Sequence, residues 1–294
     1  MSQKKYELQQ SPVDERDYTV ATVMMGDVDI PEEYIPKVRH IKYQNWSSCC
    51  VGFAICTAME YAEARAGLKP NRYSEGYVYI ARDGEDEEVN GMHTREALKC
   101  AQKDGTCQYH EYRWAHNTHD VLFAIGKGVE EKLDPIAEPF RIGPYFKLST
   151  VDEIKQAVYQ IGAAICCYPV YKSFENVLHI PEEGEKQHGR HAVTIIGWTK
   201  EGFILQDSYT RLAHINLPPS KVPNGCFLIP YEYIEDETAS KALEFWAFYL
   251  NEDVPRKPAN FWQKVGNFFY PIAVPFVEAG YWIGRFFKWL QDKV

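Results

Sequence analysis

The sequence lacks both a membrane-spanning segment and a secretory signal. The longest charge-free run near the C-terminus, residues 265–277, has thirteen residues and two prolines, whereas a spanning helix needs roughly 18 apolar residues. The first residues carry positive charges, but no apolar stretch follows them, so a cleaved signal is not expected. We therefore expect a chain that begins at Met1 and is located in the cytoplasm.

Positive charges are outnumbered by negative ones, and cysteines at the CxxC spacing are absent from the sequence. Lys and Arg number 32 and Asp and Glu number 41, which gives a net charge of −9 and argues against binding to nucleic acid. The eight cysteines form no CxxC pair and no framework typical of disulfide-rich domains, so we expect free thiols in a reducing compartment. These patterns predict neither a metal site nor a cofactor.

The overall composition is that of a folded protein, and it changes towards both ends. Hydrophobic residues make up 45% and charged residues 25% of the chain. Residues 1–40 are polar and interrupted by prolines, which predicts an extended N-terminal strap. Residues 251–294 are rich in aromatic residues, and four apolar positions recur there at helical spacing: Trp282, Phe286, Trp289 and Leu290. We expect this C-terminal amphipathic segment to dock on the protein's own core or on a protein partner, with a membrane surface as the alternative.

Residues 41–250, between these ends, change from helical to extended periodicity. Helices are predicted at residues 50–67, 94–102 and 150–161, and strands at residues 163–168, 191–198, 202–206 and 226–229. A hairpin turn at residues 199–201 joins the second and third strands. The order predicts an α+β protein, with a helical lobe at about residues 41–150 and a sheet lobe at about residues 151–250. Two unlike lobes commonly leave a cleft between them.

Residues suited to nucleophilic catalysis lie in three separate segments of this body. Cys50 falls in the first turn of a predicted helix, where the positive end of the helix dipole favours a thiolate. His191, on a predicted strand, can pair with that thiolate and later protonate a leaving amine, while Asp207 can orient the ring. The side-chain amide of Gln44 can form an oxyanion hole together with the backbone N–H of Cys50.

These segments resemble the papain-like cysteine peptidases, and their bacterial and phage-type branch in particular. In that family a Gln stands six residues before the catalytic Cys, as Gln44 does before Cys50, and Gly-Phe-Ala follows at residues 52–54. The His-Ala-Val strand of the family is matched at residues 191–193. The third polar residue of the family, sixteen positions after the His, falls on Asp207.

The resemblance covers about residues 41–250 and implies a papain-like two-lobe fold. One lobe is helical, the other is an antiparallel, barrel-like sheet, and the active-site cleft lies between them. The resemblance also implies a thiol peptidase that hydrolyses protein or peptide substrates through a Cys50 thioester and needs no cofactor. It implies that Gly91 and Tyr209 line the substrate cleft. A phage particle is the alternative location that the phage-type pattern implies.

Several positions depart from the family's usual pattern. Asp207 stands where Asn is usual, and a carboxylate stabilises a charged imidazole more strongly than an amide does, so we expect the alkaline limit of activity to move up. Tyr209 replaces a Trp that shields the polar pair. The segment before Gln44 is too short for the family's usual helical inhibitory propeptide.

Three alternatives stay open on the sequence alone. Cys49 is a competing nucleophile, although it lies five rather than six residues after Gln44. The same Cys-His-Asp set also suits acyl transfer of the transglutaminase or amidase type. A protein with this fold could instead act in assembly, for instance in a phage particle, through the C-terminal amphipathic segment.

Overall fold

The computed structural model describes residues 6–14, 17, 28–45, 47–82, 90–112, 129–175, 178, 180–209 and 222–251. The C-terminal amphipathic segment predicted at residues 251–294 therefore lies outside the described residues, apart from Asn251, and so do parts of the N-terminal strap. None of the described helices is both long enough and apolar enough to cross a membrane.

Helices dominate the first half of the chain, as the periodicity predicted. The described α-helices are α1 (Cys50–Arg65), α2 (Glu75–Ile80), α3 (Thr94–Lys103), α4 (Glu130–Ala137), α5 (Val151–Ile161) and α6 (Tyr231–Glu235). Short 3₁₀ turns occur at Glu138–Phe140, Lys172–Glu175 and Ala239–Ala242. The predicted helices at residues 50–67, 94–102 and 150–161 are confirmed as α1, α3 and α5.

Helix α1 is the central element of the helical lobe, and almost all of its residues are buried. It packs against α2 and, from the other lobe, chiefly against β3. Gly52 allows the close approach of α2, since a Cβ there would lie 2.6 Å from the carbonyl oxygen of Glu75. From β3, Thr194 Oγ1 donates a hydrogen bond of 3.1 Å to the carbonyl oxygen of Ala54. Part of the Gly-Phe-Ala pattern thus serves the packing of α1 against its neighbours.

A six-stranded antiparallel sheet forms the second lobe, in the order β1-β6-β2-β3-β4-β5. The strands are β1 (Ile142–Leu148), β2 (Ala164–Tyr171), β3 (Gln187–Trp198), β4 (Gly202–Gln206), β5 (Cys226–Pro230) and β6 (Glu244–Leu250). The four predicted strands are confirmed as β2 to β5, and the predicted hairpin joins β3 to β4. The sequence patterns did not predict β1 and β6, which pair with each other.

The two faces of the sheet pack against different helices. Cys167 of β2 belongs to the core cluster around α1, whereas its neighbour Cys166 belongs to the cluster that contains α5. Helix α5 begins with a capping box, in which Thr150 and Glu153 each accept a hydrogen bond of 3.2 Å from the other's backbone N–H. Helices α1 and α5 thus cover opposite faces of the sheet.

The loop before α1 is held by two buried ion pairs. Lys42 Nζ lies 2.8 Å from Glu60 Oε1 of α1 and 3.0 Å from Glu75 Oε1 of α2, and all three side chains are at most 5% exposed. Burial opposes the positive charge of Lys42, but the two carboxylates outweigh burial and raise its pKa above the ordinary value. Lys42 therefore stays charged and fastens the loop that carries Gln44 to both helices.

Candidate active site

Helix α1 places Cys50 at its first position. The preceding residue, Cys49, is the N-cap, and its side chain makes no capping hydrogen bond. The first turn of α1 holds no acidic side chain, so no carboxylate in that turn neutralises the positive end of the helix dipole. Cys50 is only 1% exposed and lies at this end of the helix.

Strand pairing brings His191 and Asp207 together. His191 lies in β3 and Asp207 directly follows β4, and the two strands pair antiparallel with Thr194 opposite Gln206. His191 Nε2 lies 2.9 Å from Asp207 Oδ1, and the two side chains are 1% and 6% exposed. The contact is therefore a buried, directed hydrogen bond with an ionic component.

The His191 ring has two neighbours that favour its protonated form. Burial opposes protonation, but the hydrogen bond and negative charge of Asp207, together with the neighbouring Cys50, outweigh burial and raise the pKa of His191 from 6.5 to about 9. The ring therefore carries a proton at neutral pH. Because Nε2 is bonded to Asp207, Nδ1 is the nitrogen that can exchange a proton with Cys50. A charged imidazole beside a cysteine at a helix N-terminus stabilises an attacking thiolate.

Gln44 is fully buried, and its side-chain amide is held in one orientation. Gln44 Oε1 accepts a hydrogen bond of 2.5 Å from Ser208 Oγ, and Gln44 Nε2 donates one of 3.0 Å to the carbonyl oxygen of Ser47. An amide nitrogen carries two N–H groups, so the second one can be donated to a substrate oxygen.

Ser208 links this amide to the carboxylate of Asp207. Its backbone N–H donates a hydrogen bond of 2.7 Å to Asp207 Oδ1, while its hydroxyl holds Gln44. Sequence reasoning missed this role because Ser208 and Gln44 are 164 positions apart. The one signal in the sequence is the position of Ser208 directly after Asp207.

The sequence profile of the papain family cysteine proteases matches residues 26–212, which is more than half of the chain. The chain belongs to the papain family of cysteine proteases. It is therefore a cysteine-type peptidase, a hydrolase whose substrates are proteins or peptides. No curated protein sequence matches this papain-family chain significantly.

Solved structures of papain-like proteases share its fold. Xylellain, a cysteine protease from Xylella fastidiosa, gives a TM-score of 0.70 at 17% identity, with 86% of this chain and 99% of xylellain covered. The cysteine protease and lectin-like domains of Cwp84, a surface layer associated protein of Clostridium difficile, give 0.62 at 14% identity, with coverages of 84% and 56%. Bromelain from Ananas comosus, in complex with the E64 inhibitor, gives 0.55 at 15% identity, with coverages of 76% and 100%. At these identities the comparison shows the two-lobe α+β fold alone.

The papain-family chain carries a second cysteine beside Cys50. Cys49 is completely buried, and burial raises its pKa well above the ordinary thiol value, which disfavours a thiolate there. Burial likewise raises the pKa of Cys107 to about 12. Cys50, for its part, lies beside the His191 ring. Within the described ranges, no group of three or more His, Cys, Asp or Glu side chains is arranged to hold a metal ion.

Three tyrosines surround the ring of His191. The ring centroids of Tyr209 and His191 lie 5.1 Å apart with the planes at 35°, and Tyr209 is 2% exposed. Tyr6 and Tyr168 approach the same ring more edge-on, at 5.6 Å and 5.9 Å. A Tyr in place of the family's Trp therefore packs against the ring and shields its hydrogen bond to Asp207 from water.

Residues 6–11, called the cleft segment below, pass over the other cleft candidate, Gly91. The φ angle of Gly91 is 91°, and a Cβ there would lie 1.8 Å from the carbonyl oxygen of Glu7. Gln9 donates its backbone N–H to the carbonyl oxygen of Met92 at 3.1 Å. The backbone beside Gly91 is therefore already paired with the chain's own N-terminal part.

Proposed function

We propose that this papain-family chain hydrolyses peptide bonds with Cys50 as the nucleophile. His191 acts as acid and base, Asp207 orients its ring, and Gln44 donates a hydrogen bond to the oxyanion. The observation that supports these roles is the position of the His191 ring, which is bonded through Nε2 to Asp207 at 2.9 Å and neighbours Cys50 at the start of α1.

In the first half of the reaction, the sulfur of Cys50 attacks the carbonyl carbon of the scissile bond. The carbonyl oxygen becomes an oxyanion, which the backbone N–H of Cys50 and the second N–H of Gln44 Nε2 stabilise. His191 donates its Nδ1 proton to the leaving amine. The C–N bond breaks, the amine departs, and a thioester remains on Cys50.

In the second half, water resolves the thioester. Neutral His191 accepts a proton from the water through Nδ1 while the water oxygen attacks the thioester carbon. The C–S bond breaks, the carboxylic acid leaves, and the charged imidazole and the thiolate are restored. Asp207 holds Nε2 throughout, so the ring does not turn away between the two halves.

The proposal is tested by mapping the adduct of a peptidyl epoxide by mass spectrometry at neutral pH. The full chain is compared with Cys50→Ala and with the matched control Cys49→Ala. Each is also measured in a Tyr6→Ala, Glu7→Ala background, in which the cleft segment loses its contacts with His191 and Ser48. We expect the adduct on Cys50, its loss in Cys50→Ala and its persistence in Cys49→Ala. An adduct on Cys49, or no reactive thiol in any background, would contradict the assignment.

The acyl-transfer alternative uses the same thioester and differs in what resolves it. A glutamine-containing peptide is therefore incubated with a primary amine, and ammonia release and peptide cleavage are measured together. Hydrolysis predicts cleavage at the scissile bond. Ammonia release without cleavage would replace hydrolysis by amine transfer as the function of Cys50.

A further inference from the structure

One residue of the loop before α1 has a backbone conformation that side chains rarely adopt. Asn45 has a φ angle of 53°, and within the described ranges it is the one residue other than glycine with a positive φ. It directly follows Gln44, the proposed oxyanion donor. We propose that Asn45 is a positioning residue, whose left-handed backbone closes the turn that orients the Gln44 amide towards the substrate oxygen. This inference rests on the proposed role of Gln44.

The left-handed conformation makes the identity of residue 45 important. This region is disfavoured for residues that carry a Cβ, because the Cβ comes too close to the following carbonyl oxygen. Glycine adopts it freely, asparagine adopts it more readily than most residues, and a β-branched residue there is an outlier. Whether the turn keeps its geometry therefore depends on which side chain Asn45 is exchanged for.

A tight turn is needed at Asn45 because the chain leaves the interior and returns to it within three residues. Gln44 and Ser47 are both completely buried, whereas Asn45 is partly exposed. The backbone N–H of Ser47 donates a hydrogen bond of 3.2 Å to the carbonyl oxygen of Gln44 and closes the turn. Tight turns with a positive φ at their first central residue favour Gly, Asn and Asp.

The same turn holds the side-chain amide of Gln44. Gln44 Nε2 donates a hydrogen bond of 3.0 Å to the carbonyl oxygen of Ser47, and Ser47 Oγ donates one of 2.9 Å to the carbonyl oxygen of Gln44. The amide and its acceptor therefore lie on opposite sides of Asn45 in the chain. Rotation of the Asn45 backbone separates them, so its conformation sets the direction of the second N–H of Nε2.

The sheet lobe holds the other end of the Gln44 amide. Gln44 Oε1 accepts a hydrogen bond of 2.5 Å from Ser208 Oγ, and the backbone N–H of Gln44 donates one of 2.7 Å to the carbonyl oxygen of Ser208. These two bonds do not involve the turn. A change at Asn45 therefore releases one end of the amide while the other end stays fixed, and the expected result is a tilted amide in a folded loop.

A tilted amide weakens the oxyanion hole. Loss of one oxyanion donor costs roughly 10²–10³-fold in kcat, and a displacement of about 1 Å in an active site can cost about 10²-fold. The hydrogen bond is strongest when charge develops on the oxygen in the transition state, so its loss lowers kcat and leaves KM nearly unchanged.

The test compares full-length variants in the parent chain and in the Tyr6→Ala, Glu7→Ala background. Asn45→Val puts a β-branched side chain at the left-handed position, whereas Asn45→Gly allows the same φ without a Cβ. Asn224→Val, at an exposed turn residue whose φ is not positive, is the matched control. For a fluorogenic peptide, kcat should fall about ten-fold or more in Asn45→Val, with KM little changed, and should stay within about three-fold in the other two variants.

Alkylation of Cys50 by iodoacetamide separates positioning from general damage to the site. The thiolate displaces iodide from a saturated carbon, so no oxyanion forms and the Gln44 amide is not needed. We expect an unchanged alkylation rate in Asn45→Val. Alkylation that slows as much as peptide cleavage would show that the whole site is disturbed and would overturn the inference. Asn45→Ala, which carries a smaller side chain, gives the same comparison if Asn45→Val does not fold.

A double-mutant cycle tests whether Asn45 acts through Gln44. In Gln44→Ala the amide is already absent, so adding Asn45→Val should lower kcat by no more than about two-fold further. If the two losses multiply, Asn45 acts by another route and the inference is wrong. Equal losses in Asn45→Val and Asn45→Gly would also overturn it, because the backbone conformation would not be the cause.

The outcomes separate this inference from the proposed function. If Gln44→Ala leaves kcat unchanged, the oxyanion role of Gln44 and the positioning role of Asn45 are both wrong. If Gln44→Ala lowers kcat by about 10²-fold or more and Asn45→Val leaves it unchanged, the oxyanion role stands and the positioning role is wrong. A loss in Asn45→Val that disappears in the Gln44→Ala background, with unchanged alkylation of Cys50, supports both.

Discussion

The two walls of the cleft hold their functional residues by different means. The helix wall, residues 42–53, places Gln44 and Cys50 six positions apart around the start of one helix. The sheet wall, β3 together with residues 206–209, places His191 and Asp207 by strand pairing across sixteen positions. The helix wall therefore depends on local backbone geometry, whereas the sheet wall depends on register, where a slip of one residue turns each side chain to the opposite face.

The walls meet in the close packing of α1 against β3 and in specific hydrogen bonds, among them one of 2.7 Å from the backbone N–H of Gln44 to the carbonyl oxygen of Ser208. Ser208 of the sheet wall holds the amide of Gln44, and Thr194 of β3 bonds to the carbonyl oxygen of Ala54 in α1. The cleft segment bonds to both walls, through Arg190 of β3 and through Ser48 of the helix wall. The comparison shows that each wall positions its own residues through its own backbone, while the geometry of the whole site depends on the contacts that span the walls.

The largest effect is expected at the nucleophile of the helix wall. Cys50→Ala removes the attacking sulfur, so kcat/KM for a peptide substrate should fall by at least about 10⁴-fold. Cys49→Ala changes the adjacent buried thiol and should stay within a few-fold of the parent chain. Equal losses in the two variants would show that the helix wall needs both thiols for its structure and would remove the distinction between them.

The next largest effect concerns the stability of the helix wall. Lys42→Met leaves the buried carboxylates of Glu60 and Glu75 without their cation and should lower the free energy of unfolding by about 3–5 kcal/mol. Lys200→Met breaks an exposed ion pair with Glu32, 2.8 Å long, and should not change stability measurably. Urea unfolding midpoints check both variants. Similar midpoints for Lys42→Met and the parent chain would show that the buried pairs do not hold the loop.

In the sheet wall, the expected effect is a shift in pH dependence. The folded-state pKa of His191 is raised to about 9, so the ring keeps its proton below that pH and loses it as the pH rises further. The alkaline limit of kcat/KM should therefore lie near 9, and Asp207→Asn should move it down, because the carboxylate charge is lost. Glu237→Gln, at an exposed loop carboxylate, is the control. An alkaline limit that does not move in Asp207→Asn would show that Asp207 does not control the charge of the ring.

The smallest effect is expected at the contact between the walls. Ser208→Ala leaves the amide of Gln44 held only through Ser47, so kcat should fall roughly ten-fold while KM changes little, as expected for a lost orienting hydrogen bond. Thr194→Val removes the side-chain hydrogen bond from β3 to α1 and should cost about 1 kcal/mol of stability without lowering kcat. If Thr194→Val lowers kcat as much as Ser208→Ala does, activity depends on the packing of the two walls and not on the orientation of the Gln44 amide.

The sequence predicted the secondary structure well where periodicity was long. Helix α5 was predicted from its four regularly spaced apolar residues and the capping residue Thr150, and both are present. Helix α4 was missed because Pro135 lies inside it, and α2 because it has only six residues. Strand β6 was missed because its residues are almost all apolar and show no alternation, and β1 because its partner strand lies about a hundred residues away.

For the candidate site, the sequence predicted residues but not the contacts between distant parts of the chain. Spacing and residue type were sufficient to predict Cys50, His191, Asp207 and Gln44 as candidate site residues. The same reasoning could not find the bond from Ser208 to Gln44 or the contact of Tyr6 with His191, because neither depends on neighbours in the chain. The N-terminal strap was predicted to be extended, but nothing in its composition indicated that part of it lies in the cleft.

The sequence by itself determined the elements of each wall: a helix that starts at Cys50, a hairpin that sets His191 beside Asp207, and a pattern sufficient to place the chain in the papain family. These features follow from backbone geometry over a few residues. Only the tertiary structure decided which groups are buried and what they contact, including the raised pKa of His191 and the cover provided by residues 6–11. Burial and long-range hydrogen bonds depend on which distant segments fill the same space, and local patterns carry no information about that choice.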